Sequence, residues 1–265
     1  MLDPASLLPA CAPLDGPPGG LVVVTGGGRG IGAAVAGAVA AHGHPVLVNY
    51  AGDHAAARMV VQGILARGSR AEAVQADVGE EAGVLRLFAA ADAMGAPLAG
   101  LVNNAGVTGG FARVDALDAQ VLRRVLAVNV EGALLCAREA VRRMSTRHGG
   151  QGGSIVNVSS IAARLGSGGE WVHYAASKGA LDTVTVGLAR EVAAEGIRVN
   201  AVAPGLVDTG LHAAAGAPDR VARMAPTVPM GRAGTPEEAA AAVLWLMGAG
   251  ASYITGAVVP VGGGR

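Results

Sequence analysis

Residues 21–41 read LVVVTGGGRGIGAAVAGAVAA. A short valine-rich run passes, through a cluster of glycines, into a longer Ala/Val segment of helical period. The alternation recurs: PVLVN (45–49) precedes DHAAARMVVQGILARG, and AEAVQADV (71–78) precedes EEAGVLRLFAAADAMG. Then follow LAGLVNNAG, a long segment over 119–148, SIVNVSS (154–160), a helix expected over about 174–194, and IRVNAVAPG (197–205). The strand runs are apolar at successive positions, as strands covered by helices on both faces must be. The pattern predicts an α/β domain built on one doubly wound parallel sheet. It is expected to occupy residues 19–265, behind an N-terminal extension at 1–18 expected to be disordered.

Composition narrows the class of protein. The chain has 265 residues, 51% apolar and 15% charged, which suits a well-buried globule. Twenty acidic residues balance twenty basic ones, so no strong field recruits nucleic acid or an anionic membrane. No uninterrupted apolar run is long enough to cross a bilayer. The opening MLDPASLLPACAPLDGPPGG has prolines and no basic residue, unlike a secretory or transit leader. Cys11 and Cys136 are too few for a disulfide framework, and a cytoplasmic location with reduced thiols is expected. His42 and His44 lack the spacing and third partner of a zinc site, so no metal is expected. No serine stands in a G-x-S-x-G elbow, which argues against a hydrolase on a similar sheet.

In open sheets of this kind ligands bind beyond the carboxyl ends of the strands. Gly26, Gly30 and Gly32 lie at the first such end, where glycines permit a tight turn and let a pyrophosphate approach the helix N–H groups. With 42 glycines in the chain, a three-glycine template arises about once by chance, so its position at the first strand–helix junction carries the inference. The acid expected near the end of the second strand to hold a ribose 2′-hydroxyl is absent. Asn49 stands there instead, and Asp53 is placed to cap the next helix. Arg29 could pair with a 2′-phosphate, so NADP(H) is favoured, with NAD(H) as the alternative. The segment 209–235 has weak periodicity and scattered Gly and Pro, and is expected to form a partly helical lid.

YAASK (174–178) contains the only lysine of the chain. Tyr174 and Lys178 are four apart and share a helix face. An ammonium near a phenol favours the phenolate and lowers a pKa that is ordinarily about 10. The pair is thus expected to act as a proton donor and acceptor, with a compact ammonium suited to ribose hydroxyls.

Together TGGGRGIG, Asp77 with Val78, NNAG (103–106), Asn129, VSS, YAASK and PGLVDT (204–209) resemble the short-chain dehydrogenase/reductase family over about 21–264. The resemblance implies a Rossmann-like fold, in which Gly26, Arg29, Gly30, Ile31, Gly32 and Asn49 meet the cofactor. It further implies that Asp77 and Val78 flank the adenine, and that Asn104, Ala105 and Gly106 line the groove. Pro204, Gly205, Val207 and Thr209 would lie at the nicotinamide, with Val207 and Thr209 on its carboxamide. Ser160 would bind the substrate oxygen, Tyr174 would transfer the proton, Lys178 would grip the ribose and Asn129 would anchor a water relay.

The family's serine usually precedes its tyrosine by thirteen residues, a position held here by Ile161. Ser160 is the choice, with Ser159 as the fallback. The loop that absorbs the extra residue should bring Glu170, Trp171 and His173 near the mouth. A ketone, aldehyde or secondary alcohol is the expected substrate, and a homotetramer the expected assembly. A dinucleotide-binding sensor without turnover is the competing class, disfavoured because both Tyr174 and Lys178 are present.

Overall fold

The protein is described by a computed structural model covering residues 13–265. Seven strands, β1 (Leu21–Val24), β2 (Val46–Tyr50), β3 (Ala71–Gln75), β4 (Leu98–Asn103), β5 (Gly153–Val158), β6 (Ile197–Pro204) and β7 (Val258–Val261), form one sheet in the order β3-β2-β1-β4-β5-β6-β7. Every neighbouring pair is parallel. The helices are α1 (Gly30–Ala41), α2 (His54–Leu65), α3 (Glu81–Ala93), α4 (Ala119–Leu126), α5 (Gly132–Met144), α6 (Ala162–Leu165), α7 (Val172–Val192), α8 (Leu211–Ala214), α9 (Arg220–Met224) and α10 (Pro236–Met247).

Alternation along each strand sends its side chains to two separate cores. Val22 and Val24 pack with α1, α2 and α10, whereas Leu21 and Val23 pack with α3, α5 and α7. Both faces of β1 are therefore dry, which explains its unbroken apolar sequence. Fully burying one such side chain contributes about 1.5–3 kcal/mol. The chain order reverses between β1 and β4, so the strands diverge there and leave a crevice at their carboxyl ends.

The long segment 119–148 contains more than one helix. Asp118 caps α4 by accepting from Gln120 N and Val121 N, and a π-helical turn at Ala127–Glu131 then separates α4 from α5. Such turns often mark functional positions, and this one carries Asn129. Beyond residue 235, where the sequence pattern predicts no further element, lie α10 and β7. Thr235 and Glu238 start α10 with reciprocal capping bonds, and Pro236 occupies its first turn.

The expected disordered extension at 1–18 lies outside the described residues up to residue 12. Over 13–18 the expectation is corrected, because this strip packs on the domain. Leu14 is buried and bridges Gly248, Asp15 N donates to Met247 O, and the Asp15 carboxylate pairs with Arg198 at 2.6 Å. A buried leucine and a half-buried ion pair outweigh the local effect of the prolines. Among the described residues no helix is long and apolar enough to cross a membrane.

Candidate active site

A cavity of about 730 Å³ opens at the carboxyl ends of the strands. Of the residues assigned to cofactor binding or catalysis in the sequence, all but Gly32 and Asn129 line it.

At one end lies the turn after β1. Gly26 has φ +61°, and a Cβ on it would fall 2.9 Å from Ala105 Cα. A Cβ on Gly32 would collide with Asn104 Nδ2 and Gly26 O, so Gly32 serves the loop from behind. The Asn104 amide donates to Thr25 O and Gly26 O, each at 2.9 Å. Thr25 Oγ1 in turn accepts from the backbone N–H groups of Asn104 and Ala105 at 3.0 Å. β1 and β4 are thereby tied together where they diverge. Helix α1 begins here with no side-chain cap and no acidic residue in its first turn. Free N–H groups, a positive dipole end and a glycine turn fit a dinucleotide pyrophosphate. The exposed Arg29 and the half-buried Gly30 and Ile31 complete this wall.

Asn49 lines the cavity but has another task. Its Oδ1 accepts from Gly26 N at 3.2 Å and its amide donates to Ala76 O at 2.8 Å. The side chain therefore supports the glycine turn and is not free to hold a ribose. Asp53 accepts from Ala56 N at 3.0 Å, as a cap of α2. Asp77 and Val78 lie on the adjoining wall, where Asp77 accepts from Gly79 N and pairs with Arg124 at 2.8 Å.

At the other end are the side chains expected to do chemistry. Tyr174 and Lys178 share one face of α7, and both are buried. Ser160 Oγ accepts from Ala162 N at 3.1 Å, and Ser160 lines the cavity alongside Tyr174. Ser159 turns away, its hydroxyl donating to Lys178 O at 3.3 Å. The extra residue is thus absorbed by α6 and the loop 166–171, and Ser160 meets the tyrosine despite the longer spacing. Pro204, Gly205, Val207 and Thr209 form the opposing wall, where Val207 pairs with Gly234 in a short bridge.

Asn129 stands behind the cavity wall. Its amide donates to Val107 O and Ser177 Oγ, each at 2.9 Å, and its Oδ1 accepts from Val107 N at 2.9 Å. Both amide protons are engaged within the protein. What the residue visibly does is join the loop after β4 to α7.

The electrostatics correct one expectation. Burial pushes the Tyr174 phenol up to about 12, and the neighbouring Ser160 hydroxyl only partly opposes this. Lys178 stands 5.8 Å from the phenol ring centroid and donates to Val158 O at 2.7 Å. Burial pushes its ammonium down to about 8, against the charge of Asp182. The expected lowering of the tyrosine by the lysine is absent because desolvation outweighs an ammonium at that distance.

The mouth contains residues that no motif identified. Glu170 and Trp171 line the cavity as expected, whereas His173 is buried and turned to Thr108 O at 2.8 Å. Arg220, His212 and Arg265 also line it. A guanidinium in an irregular segment has no local periodicity to reveal it. Residues 209–235 include α8 and α9 and return to the domain at Gly234.

Comparison with known proteins agrees with this geometry. A family model described as enoyl-(acyl carrier protein) reductase matches residues 26–265. The uncharacterized oxidoreductase YgfF of Escherichia coli is 50% identical over 245 residues, covering 92% of this chain and 99% of that protein. An NADPH-dependent aldehyde reductase-like protein of Arabidopsis thaliana is 35% identical over 257 residues, covering 93% of this chain and 94% of its own. The crystal structure of a short-chain dehydrogenase from Burkholderia cenocepacia in complex with NADP superposes with a TM-score of 0.84 at 35% identity, covering 95% of this chain and 98% of that one. The chain therefore belongs to the short-chain dehydrogenase/reductase family, whose members are nicotinamide-dependent oxidoreductases.

Proposed function

We propose that the protein transfers a hydride between NADP(H) and a ketone, aldehyde or secondary alcohol, with Tyr174 as the general acid and base. The observation that carries this reading is the placement of Ser160, Tyr174 and Lys178 together at one end of the cavity that has an uncapped helix N-terminus at the other. When bound, the nicotinamide supplies or accepts the hydride. The chain's own groups handle the oxygen and its proton. Tyr174, neutral because its pKa stands near 12, donates its proton to a substrate carbonyl oxygen, or accepts one in the oxidative direction. Ser160 donates a hydrogen bond to the same oxygen as negative charge develops. Lys178 keeps a positive charge beside the phenolate that results and would hold the ribose. Asn129 keeps the loop after β4 and α7 in register beneath them.

NADP(H) is preferred over NAD(H) in this reading. Arg29 is exposed at the glycine turn, and both nearby candidates for a ribose hydroxyl, Asn49 and Asp53, are engaged elsewhere. The NADP complex of the Burkholderia dehydrogenase and the NADPH dependence of the Arabidopsis reductase-like protein support the same choice. The remaining site residues act as cofactor walls, and 209–235 acts as a lid. A homotetramer in the cytoplasm remains the expected setting, consistent with a Cys136 thiol that burial pushes up to about 12 and so renders inert.

The test is the change in NADPH absorbance with a panel of aliphatic, aromatic and cyclic carbonyls. Turnover lost in Tyr174→Phe supports the reading. Tight NADPH binding with no turnover of any of them would replace it with a binding function.

A further inference from the structure

The loop 166–171 and the lid meet in a contact that neither cofactor binding nor proton transfer uses. Arg220, the first residue of α9, is only 6% exposed. Its guanidinium donates to both oxygens of Glu170, at 2.8 Å and 2.7 Å. Its Cζ lies 4.9 Å from the Trp171 ring centroid and 5.5 Å from that of Phe111. Phe111 and Trp171 stack at 4.6 Å with their planes 17° apart, and Trp171 stands 5.8 Å from the Tyr174 ring. The backbone reinforces the stack, since Ala112 N donates to Glu170 O at 2.8 Å. One side chain thus joins the lid, the loop before α7 and the segment after β4 around the indole next to the tyrosine.

An ion pair between a buried guanidinium and a half-exposed carboxylate adds little net stability, because solvent screening and desolvation offset most of the attraction. An apolar pair would hold a lid down equally well. A planar fork gripping a carboxylate does something an apolar contact cannot: it fixes one orientation of the groups it joins. The bridge between Ala112 and Trp171 fixes the backbone of this wall, and Arg220 adds the side-chain link to the lid. His212 stands 6.4 Å from the indole with its Nδ1 buried and unpartnered, and the Arg220 Nε is likewise without a partner.

We propose that Arg220 is a positioning residue that, through Glu170, sets the Trp171 wall beside Tyr174 and so selects which carbonyl compounds reach the tyrosine. The proposal rests on the oxidoreductase reading for its substrate, although not for the contact itself. The Glu170 carboxyl, held below its usual range chiefly by the Arg220 hydrogen bonds, stays charged through the neutral range.

The test uses the full chain carrying Trp245→Phe, which leaves Trp171 as the only tryptophan of the two. In that background Arg220→Met, Arg220→Lys, Glu170→Gln and the exchanged pair Arg220→Glu with Glu170→Arg are compared. Two readouts are taken: iodide quenching of the Trp171 emission, and kcat and KM for a short aliphatic ketone and an aryl ketone with NADPH. Arg220→Met and Glu170→Gln should raise quenching at least about twofold. They should raise KM for the preferred ketone by about tenfold with kcat within about threefold, and narrow the preference between the two ketones. Arg220→Lys, which keeps charge without the fork, should resemble Arg220→Met, and the exchanged pair should recover part of both signals.

Unchanged quenching, an equal loss on both ketones, or native behaviour of Arg220→Lys would overturn the proposal. Should Arg220→Met fail to fold, Glu170→Gln, which preserves shape, decides by the same readouts. The two ketones are replaced by the best-accepted members of the carbonyl panel if neither is turned over; if the parent turns over none of the panel, the reaction reading fails, and the quenching result alone settles whether the clamp exists.

Discussion

Replacing Lys178 by methionine should make the protein more stable while removing its proposed function. The ammonium is 3% exposed, and burial lowers its pKa from 10.5 to about 8. At 1.36 kcal/mol per pH unit, that displacement represents about 3 kcal/mol of destabilisation at pH 7. Methionine has similar length and no charge to desolvate. The substitution leaves Val158 O without the donor now at 2.7 Å, which costs about 1 kcal/mol. The net expectation at pH 7 is a gain of about 2 kcal/mol, or about 4–8 °C in melting temperature for a domain of this size.

The sign can be checked against pH. Between 8 and 10.5 the folded protein binds fewer protons at this site than the unfolded chain, so native stability rises with pH across that window. Near pH 10 the penalty shrinks to about 1 kcal/mol, and the advantage of the variant should vanish. Above pH 10 the trend is confounded by Tyr174, whose raised pKa contributes stability that is lost between 10 and about 12. Urea and thermal unfolding followed by circular dichroism at pH 7 and pH 10, on both proteins, measure this directly. A variant less stable than the native protein at pH 7, or a difference independent of pH, would refute the claim that the lysine is held in place against its own desolvation.

Tyr174→Phe should lower kcat by about 100- to 10,000-fold while NADPH affinity by fluorescence titration stays within about twofold. Its stability should change by less than about 1.5 kcal/mol, since Ser160 keeps its bond from Ala162 N. Ser160→Ala should lower kcat by about 10²-fold or more, whereas Ser159→Ala should lower it far less; steady-state rates showing the reverse order would exchange their roles. Arg29→Ala should weaken NADPH binding by about tenfold and leave NADH nearly unaffected in competition titrations, and equal losses for both would remove the 2′-phosphate contact. Gly32→Ala should weaken dinucleotide binding and cost about 1–3 kcal/mol in urea unfolding, because its methyl group would displace the Asn104 amide.

The sheet was legible because parallel strands buried on both faces leave unbroken valine-rich runs such as 21–24 and 46–48. The glycine turn and the Tyr174–Lys178 pair were legible because local geometry demands those residue types at those spacings. Other features depend on contacts far apart in the chain. The roles of Asn49 and Asn129 follow from Gly26, Ala76, Val107 and Ser177, and nothing near either asparagine announces them. The tyrosine pKa was misjudged because sequence spacing reveals a neighbouring charge but not the depth of burial around it. β7 is short and contains Pro260, which hides it, whereas the capping box of α10 was available in TPEE at 235–238 and would have extended the pattern.

The strip at 13–20 crosses the molecule at the amino ends of the strands, where Gly16 approaches Ala99 and Asp15 reaches Arg198. The last residue, Arg265, lies on the cavity wall at the other pole. The two ends of the described chain are therefore unequal as points of attachment. An affinity handle or fluorescent fusion joined directly at residue 13 would start on the rear side, away from the cavity. The same handle appended after Arg265 would crowd the entrance, so apparent inactivity of a carboxyl-tagged preparation would say nothing about the enzyme. Trimming back to Leu21 would be equally misleading, because it strips Arg198 of its carboxylate and uncovers the apolar end of α10.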